Sequence, residues 1–463
     1  MLASAGWEDL PPGPWDVAVV GGGIGGLVAA ACLARNGRQV VLLDAGRSVG
    51  GYLASFRRRG AVFDACVDAV GSVFEADGSP GLLGLALEAA GVLGDVEWVE
   101  LHPIRVQRFP GRDVVIPRGL VRLRESLESG FPESRFALRR ALDEMAAIHA
   151  RTRRALGLRS PVAPALGFRD EPFGEFLGRL PLTAEAAAAL GSYATFLGLN
   201  PAAASTRALA DLWMSYAEGG GWRIAGGFGA LAEALARRFE RAGGRIATAC
   251  PVRGAARRGN RWTLRLPEGE AEASHVVWAA APPDATRPGP LSSSFALLYA
   301  LVEEIDGLAP SAGWFPSAEL ESFFLPADPW GSAGGLSLAL PGEGKAPPGK
   351  GVPLVLHWPV AWDAVAALPK EAVHEALLGI LGDLAPGVSV LWSEAATPAT
   401  LERYTGNPRG AAYGWEQSPG AIQGPREVAG HGPGLIPAGQ WAGTGGGVIP
   451  AALSGWRAAR RLL

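Results

Sequence analysis

The chain holds 463 residues and 47.9 kDa, enough for two large domains or three average ones, which excludes a mini-protein scaffold. Its 65 Gly and 37 Pro are many, but 48% apolar and 19% charged residues exclude a disordered tract and a collagen-like repeat. A net charge of −3 supplies no broad field for a phosphate backbone, so nucleic acid is not an expected partner.

Cys32, Cys66 and Cys250 are odd in number and far apart, which makes neither a disulfide framework nor a metal cluster and suits a reducing cytoplasm. The arginine-rich basic set, with only Lys345, Lys350 and Lys370 as lysines, reads as coding background. Met1 to Pro14 carry two acids and no base, the wrong flank for a secretory signal. Glycines interrupt the apolar run from Val17 to Ala34, which argues against a lipid-spanning helix.

In chain order, Trp15 to Val20 read as a buried strand that runs into Gly21-Gly22-Gly23-Ile24-Gly25-Gly26 and then a helical pattern. Gly21, Gly23 and Gly26 stand at the three glycine positions of a dinucleotide fingerprint: one for the tight turn, one for approach of a pyrophosphate, one for helix–strand packing. Free amides at the helix start would meet the pyrophosphate. A second strand, Gln39 to Leu43, ends at Asp44, whose carboxylate suits ribose hydroxyls and so FAD or NAD without a 2′-phosphate. Gly50-Gly51 follow directly, a pair that a nicotinamide enzyme does not need, and this favours a flavin.

Gly81 to Gly94 reads as a helix, and Val96 to Arg108 and Asp113 to Ile116 as short strands. Residues 120 to 215 are mostly helical, with Phe136, Leu142, Met145, Ile148 and Leu156 on an expected core face; Arg139, Arg140, Arg151, Arg153 and Arg154 lie between, on a solvated face or against anionic lipid. Gly226-Gly227 precede an amphipathic helix ending near Gly243-Gly244, followed by alternating strands to Val277. Ser293 to Glu303, Leu336 to Leu340 and Val352 to Trp358 predict a second, mixed or antiparallel sheet, with Pro341 to Gly351 as its exposed loop. Leu435 to Ala438 reads as a strand, and Gly443 to Gly447 as a glycine turn into a terminal helix, able to offer amides to a ring carbonyl.

This constellation resembles the FAD-dependent phytoene desaturase and carotenoid isomerase family, within the amine-oxidase-like flavoproteins. The resemblance rests on Gly21 to Gly26, Asp44, Gly50-Gly51, Phe63-Asp64, Gly226-Gly227, Thr405 to Gly410 with Tyr413 to Trp415, Gly439, Gly445 to Gly447 and Ser454-Gly455. It departs at Tyr52, where an arginine is frequent, and at Cys66, where a glycine is expected. The resemblance implies an α/β fold: a discontinuous, Rossmann-like FAD domain of the GR2 type over 13–100, 220–290 and 400–463, with an interleaved α+β substrate domain over 101–219 and 291–399. It implies FAD contacts from Gly21, Gly23, Ile24, Gly25, Gly26, Asp44, Ala45, Gly50, Gly51, Tyr52 and Ser55, then Val252, Ala280, Gly439, Gly446, Gly447 and Val448.

Trp213, Tyr216, Tyr413 and Trp415 are candidates for a substrate channel, with aromatic packing as the alternative. The six histidines have no metal-ligand spacing and read as structural or surface residues, so no metal and no catalytic side chain is assigned. The expected activity is FAD-dependent oxidation of an apolar polyene or isoprenoid, desaturation first, with a cis-trans isomerase or a retinol-saturase-like reductase as alternatives. Two further readings are a flavin amine oxidase, which would want a lysine near the flavin, and a non-catalytic isoprenoid escort. Peripheral membrane contact accompanies the apolar substrate as an expectation; the oligomeric state is left open.

Overall fold

The computed structural model describes residues 13–157, 167–282, 290–303, 307–340, 343–346, 349–422 and 434–463. His431 and the first twelve residues, read above, lie outside these. The strand Trp15–Val20 is buried except at Asp16, as its apolar residues at the centre of a parallel sheet must be. It pairs in parallel with Val40–Leu43 on one side and Glu270–Trp278 on the other. Arg245–Ala247 extends the sheet beyond Val40–Leu43, and Leu435–Pro437 adds in parallel along Val276 to Trp278. A hairpin of Gly254–Arg258 and Arg261–Arg265 completes this seven-stranded sheet. Segments from three remote parts of the chain therefore meet in one sheet.

The helix Ile24–Arg35 packs against the terminal helix Val448–Arg460 and the helix Gly229–Arg241. Such close approach is a sequence property: a Cβ on Gly455 would stand 2.0 Å from the Gly25 carbonyl oxygen, and one on Gly26 would stand 1.9 Å from that of Gly21.

The second sheet also has seven strands, in the order Val390–Ala396, Ser294–Val302, Val352–Val360, Gly334–Leu338, Ser311–Trp314, Arg105–Phe109, Arg112–Ile116. All neighbours are antiparallel except Ser311–Trp314 with Arg105–Phe109. The expected mixed sheet thus forms, and it recruits Arg105 to Ile116. Trp98–Glu100 instead joins Val70–Gly71 and Gly221–Ile224 in a small sheet.

Three residues or segments sit otherwise than their sequence pattern predicts. Phe136 is 73% exposed, with the Arg135 guanidinium over its ring, whereas Leu142, Met145 and Ile148 of the same helix are buried. The helix turns Phe136 outward because the core face needs only one stripe. The loop after Leu340 is not exposed where it is described: Glu343 is fully buried and Lys345 nearly so, because each is paired in an interior ion cluster. Of the arginines on the long helix, Arg153 is buried and bonds Glu75, which removes it from any surface role. No described helix is long and apolar enough to cross a membrane.

Replacing Gly455 with alanine is expected to force the helices at Ile24–Arg35 and Val448–Arg460 apart, at a cost of about 1–3 kcal/mol. Denaturant unfolding measures this, and an unchanged midpoint would contradict the backbone-to-backbone packing.

Candidate functional site

A cavity of about 1440 Å³ runs between the two sheets. One part of its wall is glycine backbone. Gly21, Gly23, Ile24 and Gly25 line it, and the helix behind them starts at an N-cap, Gly23, that has no side-chain cap, so its first amides lack that partner. A Cβ on Gly23 would meet nothing within 4 Å, which leaves the turn open to a ligand. Asp44 stands beside this turn, accepting from the amides of Gly22 at 2.5 Å and Gly46 at 2.6 Å. Burial raises its pKa, and those two amide hydrogen bonds partly oppose the rise. Ala45, Pro251, Val252, Arg253 and Ala280 continue the wall around it.

Gly50, Gly51 and Tyr52 line the cavity next. Gly50 has φ +124°, open to glycine and strained for other residues, and its amide bonds the Gly22 carbonyl at 2.8 Å. Tyr52 donates its hydroxyl to the carbonyls of Gly410 and Ala411, at 3.0 and 3.1 Å, tying this loop to the penultimate segment. A second uncapped helix start faces the same space: Gly439, Gly445, Gly446, Gly447 and Val448 line it, and the N-cap Gly447 has φ +97°. Gly446 rests on Tyr413, where a Cβ would fall 2.1 Å from the carbonyl oxygen, and this contact holds Tyr413 at the wall. A cavity with two open helix N-termini, the Asp44 carboxylate and glycine turns suits an adenine dinucleotide with a flavin ring.

Four expected site residues lie elsewhere. Gly26 packs on Gly21 and does not reach the cavity wall. Ser55 turns to the helix Gly229–Arg241, accepting from the Gly229 amide at 2.7 Å and donating to Asp64 at 2.6 Å. Trp213 is fully buried, its ring against Tyr193 and its indole N–H on the Leu190 carbonyl. Trp415 packs edge-on against Trp441 and donates to the Trp441 carbonyl. Both tryptophans are core because their N–H partners are found there. Tyr216 and Tyr413 do line the cavity, with Phe196 and Phe295.

The sequence reading missed a buried ion cluster between the sheets. Arg223, fully buried, donates to Asp68 Oδ1 at 2.8 Å, to Glu343 Oε1 at 3.2 Å, to the Pro310 and Leu338 carbonyls and to Ser337. Asp68 Oδ2 accepts from Arg105 Nη1 and Ser311 Oγ, at 2.8 and 2.6 Å. Lys345 joins Glu343 to Asp64. Burial by itself would raise the Asp68 pKa, but Arg223 and Arg105 outweigh it and hold the carboxyl well below the usual range.

Asp68, Arg105 and His357 all line the cavity. Burial pushes the His357 imidazole down to about 4, and it stays neutral at ordinary pH. A signal was available: Arg105 occupies an inward position of the alternating strand Arg105–Phe109, where an apolar residue is the rule. No lysine lines the cavity; Lys345 is consumed in the cluster and Lys370 pairs with Glu394. Among the described residues no group of His, Cys, Asp and Glu is arranged to hold a metal.

Fold and site together are those of a flavin-dependent oxidoreductase. The family model described as flavin containing amine oxidoreductase matches residues 24–463, and the chain belongs to that family. Its cofactor is FAD. Among curated relatives, the human all-trans-retinol 13,14-reductase is 24% identical over 262 residues, which cover 52% of this chain and 42% of that one. An inactive all-trans-retinol 13,14-reductase of Danio rerio is 44% identical over 64 residues, 14% of this chain and 11% of that one. The chain therefore matches less than half the length of either.

Similar solved structures include putrescine oxidase bound to putrescine, with a TM-score of 0.66, 17% identity and coverage of 97% of this chain and 99% of that one. An oxidoreductase from Methanosarcina mazei aligns with a TM-score of 0.66 and 16% identity, over 95% and 98% of the two chains. At these identities the likeness is one of fold.

Because the His357 pKa is depressed on folding, its neutral form contributes stability above about pH 6.5 that is lost as pH falls toward 4. Wild type and His357→Gln, unfolded in denaturant across that window, are expected to differ in slope, with wild type losing more. Parallel curves would show that the imidazole is not buried neutral.

Proposed function

We propose that this chain exchanges a hydride between FAD and a carbon–carbon bond of an apolar polyene or isoprenoid substrate. The observation that carries the reading is the composition of the cavity wall beyond the glycine turns: the aromatic rings of Phe196, Tyr216, Phe295 and Tyr413 are there, and lysine is not. An amine oxidase would be expected to set a lysine near the flavin, and a wall without one favours the polyene reading over amine oxidation. The human all-trans-retinol 13,14-reductase among the relatives supports reduction of a double bond over the desaturation expected first.

In this reading the pyrophosphate lies over the amides from Gly21 to Gly25, Asp44 receives the ribose hydroxyls, and Ala45, Val252 and Ala280 surround the adenosine. Gly50, Gly51 and Tyr52 border the ribityl chain. Gly439 and the turn at Gly445 to Val448 direct amides and a helix start at the pyrimidine side of the ring, where negative charge would be stabilised. When bound, FAD supplies the two-electron chemistry at its N5.

The chain's own residues orient and exclude water. Tyr216 is fixed by its hydroxyl on the Ala69 carbonyl at 2.9 Å, and its ring stacks on Phe196. Phe295 meets Tyr413 edge-on. Burial holds the Tyr413 hydroxyl protonated, far above its ordinary pKa, and burial pushes the Cys66 thiol up to about 12, so neither is an anion at neutral pH. The stretch of wall made by these rings is uncharged and suits a hydrocarbon chain, and Asp68 and Arg105 stand elsewhere on the same wall.

Asp44→Ala is expected to weaken FAD retention on the order of tenfold or more, through loss of a charge-assisted hydrogen bond. Fluorescence titration of the apoprotein measures it; unaltered affinity would remove the ribose assignment. The function itself is tested by mixing oxidised and chemically reduced holoenzyme, without oxygen, with retinoid, cis-carotenoid, phytoene-like and amine compounds. A polyene is expected to reoxidise the reduced flavin and to emerge with one double bond fewer. Bleaching of the oxidised flavin by an amine, with no response to any polyene, would overturn the proposal.

A further inference from the structure

Arg105 is 4% exposed, yet its guanidinium is only partly satisfied. Nη1 is bonded to Asp68 and Ser311, while Nε is buried with no hydrogen-bond partner and no described residue accepts from Nη2. Nε is enclosed by protein and out of a ligand's reach, whereas Nη2 is not enclosed and is the donor that a ligand in the cavity can complete. The group is also precisely seated. Phe196 lies under it at 4.6 Å, and Gly335 leaves the room that Nη2 takes, since a Cβ there would stand 2.3 Å from it. Arg105, Phe196, Gly335 and His357 all line the cavity described above.

Resting on the polyene reading, we propose that Arg105 is a specificity-determining residue that donates to an uncharged oxygen, a hydroxyl or a carbonyl, on an otherwise apolar substrate. The charge balance selects the class. Arg105, Arg223 and Lys345 are already balanced within the cluster by Asp68, Glu343 and Asp64, so a substrate carboxylate would bring an uncompensated charge into the interior. An ammonium group would face N–H donors and find no acceptor among them. A plain hydrocarbon would leave the N–H groups unpaired, the arrangement by which a polar site rejects the analogue lacking oxygen.

The test uses FAD-loaded enzyme and follows the flavin spectrum as ligands of one polyene skeleton are titrated: alcohol, hydrocarbon, amine and carboxylate. The alcohol is expected to bind roughly 10- to 100-fold more tightly than the hydrocarbon, the span of one hydrogen bond to a charged donor. In Arg105→Met this preference collapses while the hydrocarbon affinity stays. Should that variant fail to fold, Gly335→Ala displaces the guanidinium without removing its charge and is expected to lower the preference likewise, and the wild-type series stands by itself. Equal binding of alcohol and hydrocarbon, a preference for amine or carboxylate, or a preference that survives displacement of Arg105 would each overturn the proposal. So would a change in flavin potential on Arg105→Met with ligand preference intact, which would assign the residue to the cofactor. Binding of no polyene at all sinks the polyene reading and this inference with it.

Discussion

Asp68 is held between Arg223 and Arg105, and most of what gives the cavity its shape passes through that arrangement. Arg223 stands on the small sheet at Gly221–Ile224, Arg105 next to the edge strand of the second seven-stranded sheet, and Asp68 on the segment that leads from the Gly50-Gly51 loop toward both. Through the Pro310 and Leu338 carbonyls, Arg223 reaches two further strand ends. A buried ion pair adds little net stability over an apolar equivalent, but loss of one member typically costs about 3–5 kcal/mol, because the other is left charged and dry. The cluster is therefore better understood as a lock on geometry. It fixes where Arg105 sits, and thereby where the cavity offers hydrogen-bond donors.

The complementary constraint is the absence of side chains at a handful of glycines. Gly21, Gly25, Gly26, Gly439, Gly446 and Gly455 each stand so close to another backbone that a Cβ would meet it below 3.0 Å, or, for Gly439, at 3.4 Å from the Ala279 carbonyl. These contacts draw the first helix, the last helix and the strand Leu435–Pro437 around one space. They also leave two helix N-termini without side-chain caps on that space. A composite nucleotide site follows from packing, with no need for the segments to be near one another in the chain.

Much of this was legible in the residues. Strand, glycine turn, helix, strand and acid over Trp15 to Asp44 announce themselves because local geometry and ligand chemistry demand the same residues in the same order. The Gly443 to Gly447 turn is readable for a like reason. Ser55, Trp213 and Trp415 were misplaced, since a side chain's direction within an element depends on which hydrogen-bond partner the tertiary fold supplies, here Asp64 and the Leu190 and Trp441 carbonyls. Of the ion cluster only Arg105, at an inward strand position, carried a signal: Asp64, Asp68, Arg223, Glu343 and Lys345 come from widely separated positions, and a Pro/Gly-rich stretch such as Pro341 to Gly351 reads as surface until its charges find partners inside.

One cavity has two halves, a glycine-walled half for the cofactor and an aromatic half where Arg105 offers unpaired N–H groups. A crystal structure of the FAD-loaded enzyme with a bound polyene alcohol tests this most directly. Pyrophosphate is expected over the Gly21 to Gly25 amides, the flavin ring beside Gly445 to Val448, and the alcohol oxygen within hydrogen-bond distance of Arg105. A cofactor seated away from those turns, or a ligand whose oxygen lies in solvent while its hydrocarbon end meets Arg105, would contradict it.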